Sequence, residues 1–453
     1  MNGRVVVIGL GKSGEACART LAGEGNHVLV VDSADTAELR ARAESLPKSI
    51  DVRLGPYEPD VVDGASMVCP SPGVPWRAPE LERARSLGIA VRSEIDLVFE
   101  RCRARLVGVT GTNGKTTTTA LVASILRSGG LRVHLGGNIG ETMLDRLHEV
   151  QPSDWVVLEL SSFQLESAAE PRCSIACVLN VTPDHLDRHE SFEAYAAAKE
   201  KIVRHAVDDS VLGYDDPVTQ RMAAVASSRV RFFGAALDSA DGATVRDGEV
   251  VSIEKGVPLR VLRVADIPLF GAHNVLNVLA AVAVSRAAGV EAGDIADAVR
   301  AFTPVPHRLQ TVADQDGVLW VDDSKATNAG SAVVGLRAFG TRPVVWIGGG
   351  SSKGTPVDEL ADEVMQRARF AVLNGASAPE LDAALHARGF TSRRLVTTLD
   401  EAVEVAASVA QPGDVVLLSP GYASFDQFRD YKQRGEAFAD AVHEVLASRG
   451  VRG

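Results

Sequence analysis

The residues best suited to chemistry fall in one run, Gly108-Val-Thr-Gly111-Thr112-Asn113-Gly114-Lys115-Thr116-Thr117, just after the apolar residues Leu106 and Val107. An apolar strand that ends in glycines and opens a helix aims bare backbone N–H groups, and the positive end of the helix, at one point. Such a point favours phosphate. Lys115 adds a charge for the β and γ oxygens, and the Thr116 hydroxyl suits Mg²⁺. ATP binding is therefore the expected chemistry. The common P-loop spacing is only partly kept, because it requires glycine where Val109 stands. A glycine-rich turn carrying a surface lysine is the alternative.

Other chemistry-bearing residues also follow apolar runs. Gly9-Leu-Gly11-Lys12-Ser13-Gly14 follows Arg4 to Ile8, and Asp32-Ser33 follows His27 to Val31. Asp32 stands about where a Rossmann unit keeps its ribose-binding acid. Alone, this is the fingerprint of an NAD-dependent oxidoreductase. Physically it requires only a diphosphate over a helix N-terminus, so a UDP-sugar, NAD, FAD or a purely structural turn all remain open. Pro70-Ser-Pro72-Gly73 is a rigid turn at a strand end, either touching a ligand or simply turning. Asn138 lies in Gly136-Gly-Asn138-Ile-Gly140, a further glycine-rich strand end.

Glu159 closes the apolar run from Asp154, with Ser161 two residues beyond. An acid at the tip of a strand beside a phosphate loop is where nucleotide-binding folds place a Mg²⁺ ligand, and a solvated strand-end acid is the alternative. His185 follows a third run, Ser174 to Val181, and its place there favours a metal or substrate role over a surface one. Lys199 falls late in a helical pattern, Ser191 to Ala206, where basic residues are ordinarily solvated. Asn274 and Asn277 share a face near the start of a long apolar helix, suited to reading a base or to capping. Arg308 follows Thr303-Pro-Val-Pro306 and is either a phosphate clamp or a linker charge. In the last third, Asp323, Lys325 and Thr327, then Lys353, then Ser424 and Phe425 again follow strand-like runs, which suggests an acidic small molecule.

The elements that must position these groups alternate strand and helix, and 453 residues make about three domains. The predicted fold is α/β, with boundaries near Arg92 to Asp96 and at Thr303 to Pro306, the latter a candidate hinge. The domains span 1–94, 95–304 and 305–453. Short β runs between Ser210 and Pro268, with a hairpin at Asp247-Gly248, predict a small antiparallel sheet in the middle domain. Strands at 318–321, 343–347, 370–373, 394–396 and 415–418 predict a further open parallel sheet.

An apolar content of 45% and a charged content of 23% are ordinary for globular proteins. A net charge of −12 argues against a sequence-independent grip on nucleic acid or an anionic membrane. No apolar run reaches membrane-spanning length, and the first residues lack a signal region, so a cytoplasmic protein is expected. Five cysteines without Cys-x-x-Cys spacing read as buried free thiols.

Taken together, Gly-Thr-Asn-Gly-Lys-Thr, Glu159 with Ser161-Ser-Phe-Gln, Asn-Val-Thr-Pro-Asp-His185-Leu-Asp and His-Asn274-x-x-Asn277 resemble the Mur ligase family, whose phosphate loop also departs from the common spacing. Asp323-Ser-Lys325-Ala-Thr327-Asn and Ser424-Phe-Asp-Gln-Phe look like the branch that adds D-glutamate to UDP-N-acetylmuramoyl-L-alanine in peptidoglycan precursor synthesis, a step tied to cell shape and division. The resemblance implies an N-terminal Rossmann-like domain for UDP, a central P-loop-type mononucleotide-binding ATPase and a C-terminal Rossmann-like domain for the amino acid. It implies an ATP-dependent amide-bond-forming ligase acting through an acyl phosphate and a tetrahedral intermediate, and a monomer.

It also implies the site. Lys12, Ser13, Asp32, Ser33, Gly73, Asn138, Ser161 and His185 would bind the UDP substrate. Gly111, Thr112, Asn113, Gly114, Lys115, Thr116, Thr117, Asn274, Asn277, Arg308 and Asp323 would bind ATP. Two Mg²⁺ ions would use Thr116, Glu159, His185 and Lys199, the last as a carbamate. Lys325, Thr327, Lys353, Ser424, Phe425 and Tyr431 would hold the amino acid, and the catalytic set would be Lys115, Glu159, His185, Lys199, Arg308 and Lys325. Two departures touch the amino-acid side: Ser351-Ser352 precedes Lys353 where an acid is frequent, and Tyr431 stands where phenylalanine is frequent. L-glutamate or another amino acid is thus the alternative substrate, and NAD-dependent oxidation the alternative reaction.

Lys115→Ala is expected to lower ATP-dependent phosphate release by at least about 100-fold while leaving the fold intact. Phosphate release and circular dichroism on the same preparation check this, and retained turnover would contradict it.

Overall fold

Runs such as Val5-Val-Val-Ile8 and Val344-Val-Trp-Ile347 are apolar on both faces, which suits strands of a parallel sheet covered by helices on either side. The computed structural model describes residues 3–140, 142–185, 188–238, 240–303, 305–352 and 357–450. These residues form three sheets.

The first sheet contains β1 (Arg4–Ile8), β2 (His27–Asp32), β3 (Ile50–Leu54), β4 (Met67–Pro70) and β5 (Ala90–Val91), all parallel in the order β3-β2-β1-β4-β5. The order reverses at β1, whose Ile8 stands opposite Val31 on one side and Pro70 on the other. Gly9–Gly14 and Pro70–Gly73 therefore meet beyond the same strand ends, the crevice where such sheets bind ligands. Gly14, in the helix Lys12–Gly23, packs so closely that a Cβ there would sit 1.9 Å from the Gly9 carbonyl oxygen.

The second sheet has nine strands: β6 (Arg105–Thr110), β7 (Val133–Gly137), β8 (Trp155–Glu159), β9 (Ile175–Val178), β10 (Asp209–Gly213), β11 (Arg229–Phe233), β12 (Gly242–Arg246), β13 (Glu249–Glu254) and β14 (Val257–Arg263). Their order is β14-β13-β12-β11-β10-β9-β6-β8-β7. The antiparallel part, β12 to β14, is the far edge of this same sheet. Its first turn, Asp247-Gly248, has φ of 50° and 75°, the left-handed pair a tight hairpin requires. At the other end the register sets Val109 opposite Glu159 and Thr110 opposite Val178, so three strand ends converge on the residues after Thr110.

The first two sheets share a continuous core. Leu97 and Val98, from the helix Glu94–Arg101, pack in one cluster with Leu21, Met143, Val156 and Leu165. Asp96 joins the segments further, closing a capping box on Ser93 through one oxygen and accepting from Ala169 N (2.8 Å) with the other. The chain accordingly divides into two bodies: Met1–Ile267 with Leu276–Phe302, and Pro268–Val275 with Thr303–Gly453.

The second body holds β15 (Gln310–Gln315), β16 (Val318–Asp322), β17 (Val344–Gly349), β18 (Ala368–Asn374), β19 (Arg393–Leu395) and β20 (Val415–Leu418), in the order β15-β16-β20-β17-β18-β19. The expected parallel sheet is present with one correction: β15 runs antiparallel to β16 at the edge. The turn between them, Asp316-Gly317, has φ of 55° and 76° and is the hairpin signal that the strand pattern overlooked. Trp320 and Trp346 are fully buried on opposite faces, in two separate cores. Among the described residues, no helix is long and apolar enough to cross a membrane. All five cysteines are free; four are buried and Cys102 is half-buried.

Candidate active site

The phosphate loop begins where β6 ends. Gly111 has φ of 152° and Gly114, which caps the helix Lys115–Ser128, has φ of 86°. Gly114 is needed twice over, for its left-handed backbone and for space, since a Cβ there would fall 2.2 Å from Asn277 Oδ1. Asn277 thus lies directly against the loop and is buried.

Side chains from β9's end remove the remaining freedom. Asn180 Oδ1 accepts from Asn113 N (2.9 Å), Asn180 Nδ2 donates to Asn113 O (3.1 Å), and Asn180 O accepts from Thr112 N (2.8 Å). Thr112 Oγ1 donates to Thr182 O (3.1 Å), accepts from Thr182 N (3.0 Å) and lies 3.0 Å from the Tyr195 hydroxyl. Lys115 Nζ donates to Gly111 O (2.9 Å) and Thr112 O (2.8 Å). Thr116 is half-buried in the first helical turn, and Thr117 is buried.

Lys199 corrects the solvated reading of its position. It is 1% exposed, and its Nζ donates to the same Gly111 carbonyl (2.9 Å) and lies 4.6 Å from the centre of the Tyr195 ring. Burial first, and the charge of Lys115 second, push its ammonium down to about 7, against a smaller opposing pull from Asp184. The helical pattern hid this because the helix Phe192–Arg204 turns that face toward the loop.

Glu159 is 2% exposed, so it is not a solvated strand-end acid. Its Oε1 accepts from Asn138 Nδ2 (3.0 Å), whereas Oε2 is buried without a hydrogen-bond partner among the described residues. A buried carboxylate oxygen left bare costs free energy unless a cation or donor meets it. Mg²⁺ fits that oxygen, being a hard cation that takes one or two carboxylates and completes its shell with water and substrate phosphates. No group of three or more His, Cys, Asp or Glu side chains gathers for a metal among the described residues.

His185 is exposed, with φ of 52° and its ring 5.0 Å from that of Phe163. Ser161 caps the helix Ser162–Ser167: its Oγ accepts from Gln164 N (3.2 Å), and Gln164 Oε1 accepts from Ser161 N (3.0 Å). Its hydroxyl is therefore engaged locally. In the first sheet, Asp32 holds the glycine loop, its Oδ2 accepting from Leu10 N (2.9 Å) and its Oδ1 from Ala34 N (3.0 Å). Lys12, Ser33 and Gly73 are exposed around that crevice and Ser13 is half-buried, while Ser71 Oγ donates to Gly9 O (2.9 Å).

The second body carries its own cluster. Asp323 is buried; its Oδ2 accepts from Ser419 Oγ (2.7 Å) and its Oδ1 from Leu309 N (3.3 Å). Burial drives its carboxyl from the ordinary 3.8 up to about 7, although Ser419 and the charge of Arg308 pull the other way. Arg308 keeps a buried Nε without a partner among the described residues. Asn274 sits inside the first turn of the helix Ala272–Ala287 and donates to Phe270 O (2.8 Å), so it does not cap that helix. Lys325 is half-buried, its Nζ 5.6 Å from the centre of the Tyr431 ring, and Thr327 follows it. Ser424 is buried and the adjacent Phe425 is 70% exposed. Lys353 lies outside the described residues.

Sequence reasoning gave no role to Asn180, which stands in the quoted motif, or to Tyr195, and it missed Arg434. Arg434 is 3% exposed and donates to Ser324 Oγ (3.0 Å), Ser324 O (2.9 Å) and Tyr422 O (3.0 Å), tying the Lys325 loop to the Ser424 loop. An arginine within an apolar-patterned helix was the available signal, since such a group is buried only when its donors are used.

A phosphate loop flanked by a buried acid and a buried lysine, on an α/β sheet with a Rossmann-like neighbour, defines a nucleotide-binding enzyme. Family models narrow the class: the Mur ligase MurD-like N-terminal domain matches residues 3–93, the Mur ligase middle domain 109–285, and the Mur ligase glutamate ligase domain 307–421. The UDP-N-acetylmuramoylalanine--D-glutamate ligase of Pelotomaculum thermopropionicum is 39% identical over 442 residues, covering 97% of each chain. That of Geobacillus kaustophilus is 38% identical over 98% of each. The chain belongs to the Mur ligase family and is an ATP-dependent amide-bond-forming ligase. Among solved structures, the UDP-N-acetylmuramate-alanine ligase MurC of Thermotoga maritima has a TM-score of 0.59 at 20% identity, over 98% of this chain and 100% of that one. A MurF of Acinetobacter baumannii has a TM-score of 0.61 at 17% identity, over 96% and 93%. These two share the fold. The oxidoreductase alternative falls, because the N-terminal glycine loop belongs to a Mur ligase domain.

Asp323 yields a pH prediction. With its pKa raised, the folded protein keeps a proton between about 4 and about 7 that the unfolded chain has released, so this group lowers stability as pH rises through that window. Urea unfolding of Asp323→Asn is expected to lack that fall. An unchanged pH dependence would contradict the assignment.

Proposed function

We propose that this protein joins D-glutamate to UDP-N-acetylmuramoyl-L-alanine at the expense of ATP, in peptidoglycan precursor synthesis, as a cytoplasmic monomer. The observation that carries the reading is the juxtaposition, at one set of strand ends, of the pinned phosphate loop, the bare Glu159 oxygen and the buried Lys199. Relatives 36–40% identical over nearly their whole length carry the corresponding name, UDP-N-acetylmuramoylalanine--D-glutamate ligase. We assign residues 1–94 to the UDP substrate, 95–304 to ATP and 305–453 to the amino acid.

A carboxylate is a poor acyl donor, since attack by an amine would have to expel oxide. Transfer of a phosphoryl group from ATP replaces oxide with phosphate as the leaving group. The D-glutamate amine then forms the new C–N bond, and the tetrahedral adduct expels phosphate. Backbone amides of Gly111 to Thr117 hold the β and γ phosphates, and Lys115 counters charge on the transferring oxygens. Asn277, which lies against the loop, is assigned to ATP with it, and Asn274, Arg308 and Asp323 are assigned to ATP from the family resemblance alone. The UDP end is assigned to Lys12, Ser13, Asp32, Ser33, Gly73 and Asn138, with Ser161 and His185 toward the reacting end. Thr116, Glu159, His185 and Lys199 would hold Mg²⁺, at two sites, and the metal would supply positive charge during phosphoryl transfer.

Lys199 has the property a carbamate needs. An amine adds to CO₂ only when neutral, releasing one proton as the C–N bond forms, and its lowered pKa leaves a substantial neutral fraction near pH 7. We assign the carbamate to it, the product being an anionic oxygen ligand in place of a cation. Lys325, Thr327, Lys353, Ser424, Phe425 and Tyr431 are assigned to the glutamate.

Phosphate release with ATP, Mg²⁺ and UDP-N-acetylmuramoyl-L-alanine should require D-glutamate and should not respond to L-glutamate or lysine. Activity lost in Lys199→Ala should return in part with short carboxylic acids. Turnover indifferent to D-glutamate would overturn the substrate, and absence of rescue would overturn the carbamate.

A further inference from the structure

Arg188 is not among the residues assigned above, yet it is hydrogen-bonded to the backbone of two segments that carry them, the turn around Gly73 and the segment of His185. Its Nη2 donates to Pro72 O and Val74 O, both at 3.0 Å, and so fixes the carbonyls on either side of Gly73. Its guanidinium lies 4.3 Å from the centre of the Phe163 ring. Phe163 also stacks on the buried His189 (5.3 Å between ring centres, planes 11° apart) and lies 5.0 Å from the His185 ring. His189 is held in turn by Ser162, with Nε2 3.0 Å from Oγ. The backbone adds a further tie, because Arg188 N and His189 N both donate to His185 O, at 3.1 and 2.9 Å.

The Pro72–Val74 turn connects onward to the first glycine loop through Ser71 Oγ and Gly9 O. One guanidinium thus links the turn at the nucleotide crevice to the segment presenting His185. The nearby pair Arg77–Glu190 spans the same segments, but both partners are more than 60% exposed, so it contributes little. The cleft shared by Ser71, Trp76, Phe163, Glu166 and Arg188 has a volume of only about 10 Å³, room for little more than a water, so this contact is a strut and not a ligand pocket.

We propose that Arg188 is a positioning residue: it holds the turn that receives the UDP end of the substrate in register with His185, so that gripping the nucleotide places the distant carboxylate for phosphorylation. The proposal rests on the function assigned above. Lysine is a partial replacement: one nitrogen, Nη2, serves both carbonyls and an ammonium has donors enough for them, but it has no planar face to lie on Phe163.

The test is steady-state kinetics of wild type, Arg188→Gln and Arg188→Lys with UDP-N-acetylmuramoyl-L-alanine and with N-acetylmuramoyl-L-alanine lacking the nucleotide. Losing two charge-assisted hydrogen bonds should raise KM for the full substrate by about 10- to 100-fold in Arg188→Gln, and by less in Arg188→Lys. KM for ATP and for D-glutamate should stay within about 2-fold. With the truncated substrate the penalty on kcat/KM should largely vanish, which a general loss of folding would not produce. An active wild type whose Arg188→Gln form shows an unshifted KM, or equal penalties on both substrates, would overturn this proposal alone. Should Arg188→Gln melt early, the same comparison in Arg188→Lys decides. A wild type inert toward these substrates would overturn the functional reading and this proposal with it.

Discussion

A glycine-rich loop can aim its amides at a phosphate only if something else removes the freedom that glycine brings. Here that constraint falls on Asn180, whose side chain both donates to and accepts from the backbone of Asn113. Thr112, bonded to Thr182 and near the Tyr195 hydroxyl, closes the other side. These bonds exist because the register of β6 against β9 brings Leu179 and Asn180 level with Gly111. The sheet topology thus determines the chemistry through one side-chain amide.

The same loop sets the electrostatics around it. Lys115 and Lys199 donate to a single carbonyl oxygen, that of Gly111. Burial is the larger reason that the Lys199 ammonium is pushed down, and the adjacent charge of Lys115 adds to it. Glu159 presents the complementary problem, a buried carboxyl oxygen without a hydrogen-bond partner among the described residues. Two ammonium groups at the loop, with a buried carboxyl oxygen that lacks a partner among the described residues at a neighbouring strand end, form an arrangement that a metal–nucleotide complex would satisfy.

Much of this was legible in the sequence. The strand, glycines and Lys115-Thr116 revealed the cradle, because those residue types in that order have few other uses, and Gly9–Gly14 with Asp32 revealed the first crevice. What stayed hidden depends on tertiary neighbours. From its helical pattern alone Lys199 read as a solvated charge, and only the family resemblance gave it a role, since nothing local says which face of the helix Phe192–Arg204 turns inward. Asn180 and Arg434 act through backbone atoms far along the chain, which no spacing rule detects. The edge strand β15 was lost because its burial is irregular, without the alternation that marks a half-buried strand.

The central claim is that the backbone of the cradle is preformed and receives the triphosphate with only the Lys115 side chain moving. A crystal structure with a non-hydrolysable ATP analogue and Mg²⁺ tests it most directly. The expected result places the β and γ phosphate oxygens on the amides between Gly111 and Thr117, with Lys115 turned to them and Asn180 still bound to Asn113. Phosphates bound elsewhere, or a loop that has abandoned Asn180 to reach them, would contradict the account.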